Sequence, residues 1–274
     1  ISEAIAAGLA PDGGLYMPAS LPSFTPADFD GADTLAQVAQ RLLRPFFAGD
    51  ALEGELAAIC ATAFAVEPPL RTFGEANDYI LELFHGATAA FKDYGASFLA
   101  AALAALPRGD RPLTILVATS GDTGAAVGAA FHHKPGMRVA ILYPDGRVSP
   151  RQAHQLGCFG DNVRAFRVDG SFDDCQKLVK TLLSDAAFKQ DVPLGSANSI
   201  SLGQGVPIIW TYTPSPGDIN GDGNVNVSDL LAVIVSWGVC PAPPTTCPAD
   251  VAPLPSGDGQ VNVTDLLAVI VNWG

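Results

Sequence analysis

Leu113-Thr114-Ile115-Leu116-Val117-Ala118-Thr119-Ser120-Gly121-Asp122-Thr123-Gly124 runs from a short apolar segment into a turn of hydroxyls and glycine. The first six residues fit a strand buried on both faces, and the pattern over 123–132 is helical. Residues 139–143 form a second apolar run, and 93–106 a second helical pattern; 35–47 and 52–64 also carry apolar residues at helical spacing. Strand, crossover helix and parallel strand in succession make a βαβ unit. Several such units make an open α/β sheet that binds ligands at the carboxyl ends of its strands. Informative residues are therefore expected in the strand-to-helix turns. The amides and hydroxyls of Ser120, Gly121, Asp122, Thr123 and Gly124 suit a carboxylate or phosphate beside a helix N-terminus, and serve equally as an ordinary helix cap.

A second turn, Glu82-Leu83-Phe84-His85-Gly86-Ala87-Thr88-Ala89-Ala90-Phe91-Lys92-Asp93-Tyr94-Gly95, places one lysine at the start of a helix. The positive helix end is electrostatically wrong for a cation. Such a placement readies an amine to act as a base or to form a Schiff base; the simpler reading is a solvated lysine in the first turn.

The 274 residues carry 28 acidic against 15 basic side chains, a formal charge of −13, with 48% hydrophobic residues. That is enough apolar material for a buried core, and the acidic balance argues against nucleic acid as a main ligand. No apolar run has the length to span a bilayer, and no export signal is evident at the start, which is Ile and not Met. From residue 217 onward the six acids are all Asp, with no Lys, Arg, His or Glu. This shift, after Thr213-Pro214-Ser215-Pro216, predicts a first domain over 1–209, a stiff linker over 210–216 and a second domain over 217–274. Cys60, Cys158 and Cys175 read as buried single thiols. Cys240 and Cys247 flank a Pro/Thr loop and could close a disulfide in an oxidising compartment.

In the first part, Ala10-Pro11-Asp12-Gly13-Gly14-Leu15-Tyr16, Glu82 to Gly86, Phe91 to Gly95, Ala118 to Ala126, Ile141-Leu142-Tyr143-Pro144 and Ser196-Ala197-Asn198-Ser199-Ile200 together resemble threonine synthase, in that family's order and spacing. The resemblance runs from residue 1 to about 203. It implies part of an α/β open sheet of the tryptophan-synthase-beta-like kind. It also implies pyridoxal 5'-phosphate as cofactor and conversion of O-phosphohomoserine and water to threonine and phosphate. On this resemblance Lys92 bonds the cofactor as a Schiff base and moves protons. Ser120 to Gly124 receive the substrate carboxylate, Asn198 and Ser199 line the pocket, and His85 and Thr88 orient the Lys92 turn or touch ligand. Ala87 stands where the family usually has Pro, and Gln204 where it has a cation. The family's glycine-rich loop for the cofactor phosphate and its partner for the pyridine nitrogen have no counterpart over 204–274. The resemblance thus implies an impaired, truncated enzyme.

The second part is an internal repeat. Val225-Asn226-Val227-Ser228-Asp229-Leu230-Leu231-Ala232-Val233-Ile234-Val235-Ser236-Trp237-Gly238 recurs at 261–274 with two conservative differences. Ahead of the first copy, Asp218, Asn220, Asp222, Asn224, Asn226 and Asp229 fall at calcium-loop spacing with Gly223 at the sharp turn, so these six are candidate Ca²⁺ ligands. In the second copy Asp250, Asp258, Gln260, Asn262 and Asp265 are the corresponding candidates, with the head of the loop stretched between Asp250 and Asp258.

Paired loops, each with a Leu-Leu helix and a terminal Trp-Gly, resemble a dockerin. That resemblance implies a small all-α, EF-hand-like domain that binds calcium and plugs into a cohesin-type protein. Partner contacts would come from Val227, Ser228, Val263 and Thr264, with Trp237 and Trp273 in the core. The two halves imply opposite compartments, cytoplasmic for a biosynthetic enzyme and extracellular or cell-surface for a docking module, as in a gene fusion, a rearrangement or an assembly artefact.

Overall fold

The computed structural model describes residues 1–12, 14–73, 79–107, 109–198, 219, 227–240, 247, 249, 260–263, 265–266 and 269, with the backbone alone for 26 and 227–229. Two compact units divide the chain, Ile1–Trp210 and Thr211–Gly274.

In the first unit, α1 (Ser2–Ala7) precedes α2 (Leu35–Phe47) and α3 (Leu56–Ala63). Thr34 caps α2: its hydroxyl accepts the Gln37 amide at 3.3 Å while Gln37 Oε1 accepts the Thr34 amide at 3.1 Å. This reciprocal cap satisfies two amides that helix geometry leaves orphaned. The antiparallel pair β1 (Leu70–Thr72) and β2 (Tyr79–Leu81) then leads to α4 (Lys92–Ala105). Nearly every side chain of α4 from Asp93 to Leu103 is buried, because alanines at 96, 100, 101 and 102 let neighbouring elements approach on several sides. Phe98 stacks on Phe64 at 6.0 Å and meets Phe47 edge-on at 6.4 Å, so α2, α3 and α4 share one aromatic core.

The sheet follows. Its strands β3 (Leu113–Ala118), β4 (Met137–Pro144), β5 (Val163–Val168) and β6 (Leu194–Ser196) lie in the order β5-β4-β3-β6, all parallel. Between them come α5 (Asp122–Phe131), α6 (Pro150–Gly157), α7 (Phe172–Ser184) and α8 (Ala186–Asp191). Alternation along the strands sorts the core into two faces. Ile115, Val117, Val139 and Ile141 join the large cluster with α4 and α5, whereas Leu116 and Leu142 pack against Cys175, Val179 and Leu183 of α7. Helices thus cover both faces, and the carboxyl ends of β3 and β6 open side by side, as expected for an α/β open sheet.

Cys60 and Cys175 are buried as expected from the sequence, but Cys158 is exposed. It lies just past the end of α6, where its thiol reaches only the Gln155 carbonyl at 3.3 Å.

The second unit shows α9 (Val227–Val235), a short antiparallel pairing of β7 (Gly238–Val239) with β8 (Gln260–Val261), and a core of Val233, Ala249, Val261 and Val269. A disulfide joins Cys240 to Cys247 with Cα atoms 5.7 Å apart, and both cysteines pack on that core. Trp237, expected in the core, is half exposed: it follows α9 at the point where the chain turns into β7, beyond the helix's inward stripe. Trp273 lies outside the described residues.

Candidate active site and calcium loops

Lys92 is the first residue of α4, with its Nζ 4.3 Å over the Phe91 ring. Its immediate neighbour fixes the approach. The Asp93 carboxylate is buried and accepts the Thr88 amide at 2.8 Å and the Thr88 hydroxyl at 2.6 Å. A Cβ on Gly86 would lie 2.6 Å from the Asp93 Cβ, so this turn tolerates only glycine there. Ala89 takes a left-handed backbone at φ 57°, which a non-glycine residue adopts only when its surroundings enforce it. The Thr88–Asp93 pair therefore closes the turn that ends at Lys92. His85 bonds Glu82 through Nε2 at 2.8 Å and stacks on Phe84 at 4.7 Å.

The turn after β3 is built around Thr119, which is 1% exposed. Its hydroxyl accepts the amides of Gly121 at 3.0 Å and Gly124 at 2.9 Å. Two of the amides the sequence offers to an anion are thus spent on an internal cap, and those of Ser120, Asp122 and Thr123 are not engaged by it. Gly121 sits at φ 147°, and a side chain there would run into Gln152. Gln152, at the start of α6, donates to Asp122 Oδ1 at 3.0 Å and so holds the start of α5.

A cavity of about 100 Å³ opens where β3 and β6 end. Ser120, Thr123, Ser196 and Asn198 line it, together with Gln176 and Lys180 from α7. The cavity thereby joins the hydroxyl turn to Asn198 and adds a cation. Sequence reading missed Gln176 and Lys180, since only the packing of α7 on the sheet brings them here. Lys92 is not among the cavity's lining, and Ser199 and Gln204 lie outside the described residues.

Of the calcium-loop candidates, Gln260, Asn262 and Asp265 are described. Asp265 is fully buried and its Oδ2 accepts the Asn262 amide at 2.9 Å, while Asn262 Nδ2 donates to the Gln260 carbonyl at 3.3 Å. A buried carboxylate that closes the loop onto its own backbone fits the last ligand of such a loop. Asp229 falls on α9 by its backbone position; Asp218, Asn220, Asp222, Asn224, Asn226, Asp250 and Asp258 lie outside the described residues, as does Thr264.

Residues 1–64 match the family model of the threonine synthase N terminus, 73–202 that of pyridoxal-phosphate dependent enzymes, and 216–272 that of the dockerin type I domain. The chain is 42% identical over 201 residues to threonine synthase of Haemophilus influenzae, covering 73% of this chain and 47% of that protein. It is 40% identical over 213 residues to threonine synthase of Escherichia coli, covering 77% and 49%. The crystal structure of the Escherichia coli enzyme superposes with a TM-score of 0.68 at 39% identity, over 76% of this chain and 49% of that one. The pyridoxal-phosphate-bound threonine synthase of Brucella melitensis gives a TM-score of 0.66 at 38% identity, over 76% and 47%. The chain spans about half the length of the curated relatives it matches. Residues 1–202 are therefore similar to the threonine synthase N terminus and to pyridoxal-phosphate dependent enzymes, and residues 216–272 to the dockerin type I domain.

Proposed function

We propose that the first unit is the lysine-bearing half of a threonine synthase site, acting on O-phosphohomoserine to give threonine and phosphate. The observation that carries this reading is the clamp of Thr88 on Asp93, which presents Lys92 at the start of α4 inside the region matching pyridoxal-phosphate enzymes. The residues present fit the carbonyl end of that cofactor: Lys92 Nζ is the amine that would bond it, with the Phe91 ring beneath. When bound, pyridoxal phosphate acts as an electron sink for charge that develops on substrate carbons. Lys92 Nζ would be the group that takes and returns protons at those carbons. Ser120, Thr123 and Asn198 hold the substrate's polar groups, with the amides of Asp122 and Thr123 facing its carboxylate at the start of α5. Lys180 supplies a positive charge in the same cavity for an anionic group.

The test is the absorption spectrum of the purified chain with added pyridoxal phosphate, followed by borohydride trapping and peptide mapping. Selective labelling of Lys92 supports the reading, and label scattered over other lysines overturns it.

A second reading rests on the Cys240–Cys247 disulfide and the buried Asp265, which suit a secreted calcium module. In it, Ca²⁺ held by Asp218, Asn220, Asp222, Asn224, Asn226 and Asp229, and by the second loop, folds residues 217–274 for docking into a cohesin-type partner. Val263, 56% exposed, is a contact residue on this reading. The enzyme reading belongs in the cytoplasm and the docking reading outside the cell. Among the described residues no helix is long and apolar enough to cross a membrane.

A further inference from the structure

The far end of α5 carries a cluster that neither reading uses. His132 follows the last residue of α5, His133 comes next, and Asp161 lies in the turn before β5. His132 Nε2 is 3.8 Å and His133 Nδ1 is 3.6 Å from the same Asp161 oxygen, Oδ2, and all three atoms lie within 4.8 Å of one another. Ligands on a tetrahedral ion with bonds of about 2.0–2.1 Å stand about 3.4 Å apart, so each nitrogen need approach Asp161 Oδ2 by only a few tenths of an ångström, and the two imidazoles, already within 4.8 Å of each other, close the rest by side-chain rotation.

Three further features point the same way. His132 Nε2 is buried and has no hydrogen-bond partner among the described residues, a costly state that a bound ion relieves. The turn is built rigidly: Asn162 Oδ1 accepts the His133 amide at 2.9 Å, and its Nδ2 donates to the carbonyls of Phe131 at 2.9 Å and Met137 at 3.1 Å. His133 at φ 59° and Asp161 at φ 48° both hold left-handed backbones, which aims their side chains at each other. The carboxyl end of α5 also favours a cation.

We propose that His132 Nε2, His133 Nδ1 and Asp161 Oδ2 bind one divalent transition-metal ion of the zinc class, with a fourth position open to water. Two imidazoles and one carboxylate select such borderline ions over calcium or magnesium, which take oxygen ligands. The ten residues of α5 separate this site by about 15 Å from the Ser120 turn, so its role is to tie the β5 turn to the helix and not to take part in catalysis.

The experiment uses the untagged full chain with thiols alkylated and Ca²⁺ in excess, and reads Co²⁺ uptake by equilibrium dialysis and visible absorption. His133→Asn and Asp161→Asn are the variants, since Asn tolerates a left-handed backbone. Wild type is expected to take up one Co²⁺ more than the double variant, and each single substitution to weaken that binding by about tenfold or more. In parallel, Zn²⁺ is expected to slow diethylpyrocarbonate modification of His132 and His133 while leaving His85 and His154 unchanged, a readout that needs no variant. Equal Co²⁺ uptake in wild type and double variant, or equal modification rates with and without Zn²⁺, would leave only a histidine–aspartate ion pair and overturn the site.

Discussion

Thr88 and Asp93 are joined twice, amide to carboxylate at 2.8 Å and hydroxyl to carboxylate at 2.6 Å, so the five-residue step between them is closed around the position that presents Lys92. The lysine is aimed by a buried anion beside it. Thr88→Val removes the hydroxyl and keeps the shape, and is expected to cost about 1–3 kcal/mol because it leaves a buried carboxylate oxygen short of a partner. Urea denaturation of the variant measures this, and an unchanged midpoint would show that the clamp contributes nothing.

Lys92→Ala is expected to abolish the borohydride-stable pyridoxyl label while leaving far-UV circular dichroism unchanged, since Lys92 is half-buried at a helix start and contacts mainly the Phe91 ring. Persistence of the label at another single lysine would transfer the role to that residue.

Thr119→Val tests the cap at the end of β3. The two amides that share the Thr119 hydroxyl are on buried residues, so losing it is expected to destabilise the first unit by about 2–3 kcal/mol, read as a lowered Tm. Ser120→Ala, on an exposed side chain, is expected to leave Tm unchanged, separating the structural hydroxyl of Thr119 from the hydroxyl proposed for ligand binding.

The thiols divide by burial. Burial pushes the Cys60 thiol up to about 12 from 9.0, and pushes Cys175 up as well, with the nearby Asp174 adding to the shift. Iodoacetamide at mild pH is expected to label Cys158 alone among the three, as mass mapping will show. Because the folded state holds Cys60 protonated above its unfolded value, its contribution to stability is complete below about pH 9 and is lost as pH rises from there toward about 12.

Asp218→Ala and Asp229→Ala are expected to remove calcium-induced folding of 217–274, followed as a change in Trp fluorescence on Ca²⁺ titration. Trp237 is half exposed at the end of α9, which suits it to report the transition. An identical titration in both variants would remove the calcium assignment.

Much of the first unit was legible because its signals are local. The apolar run at Leu113–Ala118 coincides with β3, the helical spacing of 35–47 with α2, and the 93–106 pattern with α4 to within a residue at each end. The three-residue strand β6 and the hairpin β1–β2 carry no such signal, since segments this short are defined by their neighbours and not by periodicity. The same holds for the site. Lys92, Ser120 and Asn198 stood out through their motifs, whereas Lys180 lies on an ordinary amphipathic helix and enters the cavity only through packing. Cys158 was misjudged because composition cannot show that a thiol falls just beyond a helix end.

The pairing of Thr114–Leu116 with Leu194–Ser196 closes a loop of about eighty residues, whereas β3 with β4 and β4 with β5 are joined by far shorter crossovers. Contacts that distant in sequence carry the larger loop-closure cost, so the cavity between Ser120 and Asn198 is expected to form after the β3–β4 and β4–β5 pairings. During synthesis, a chain that has emerged as far as α7 but not as far as residue 198 is expected to carry the β3–β4–β5 part of the sheet with this cavity still open on one side.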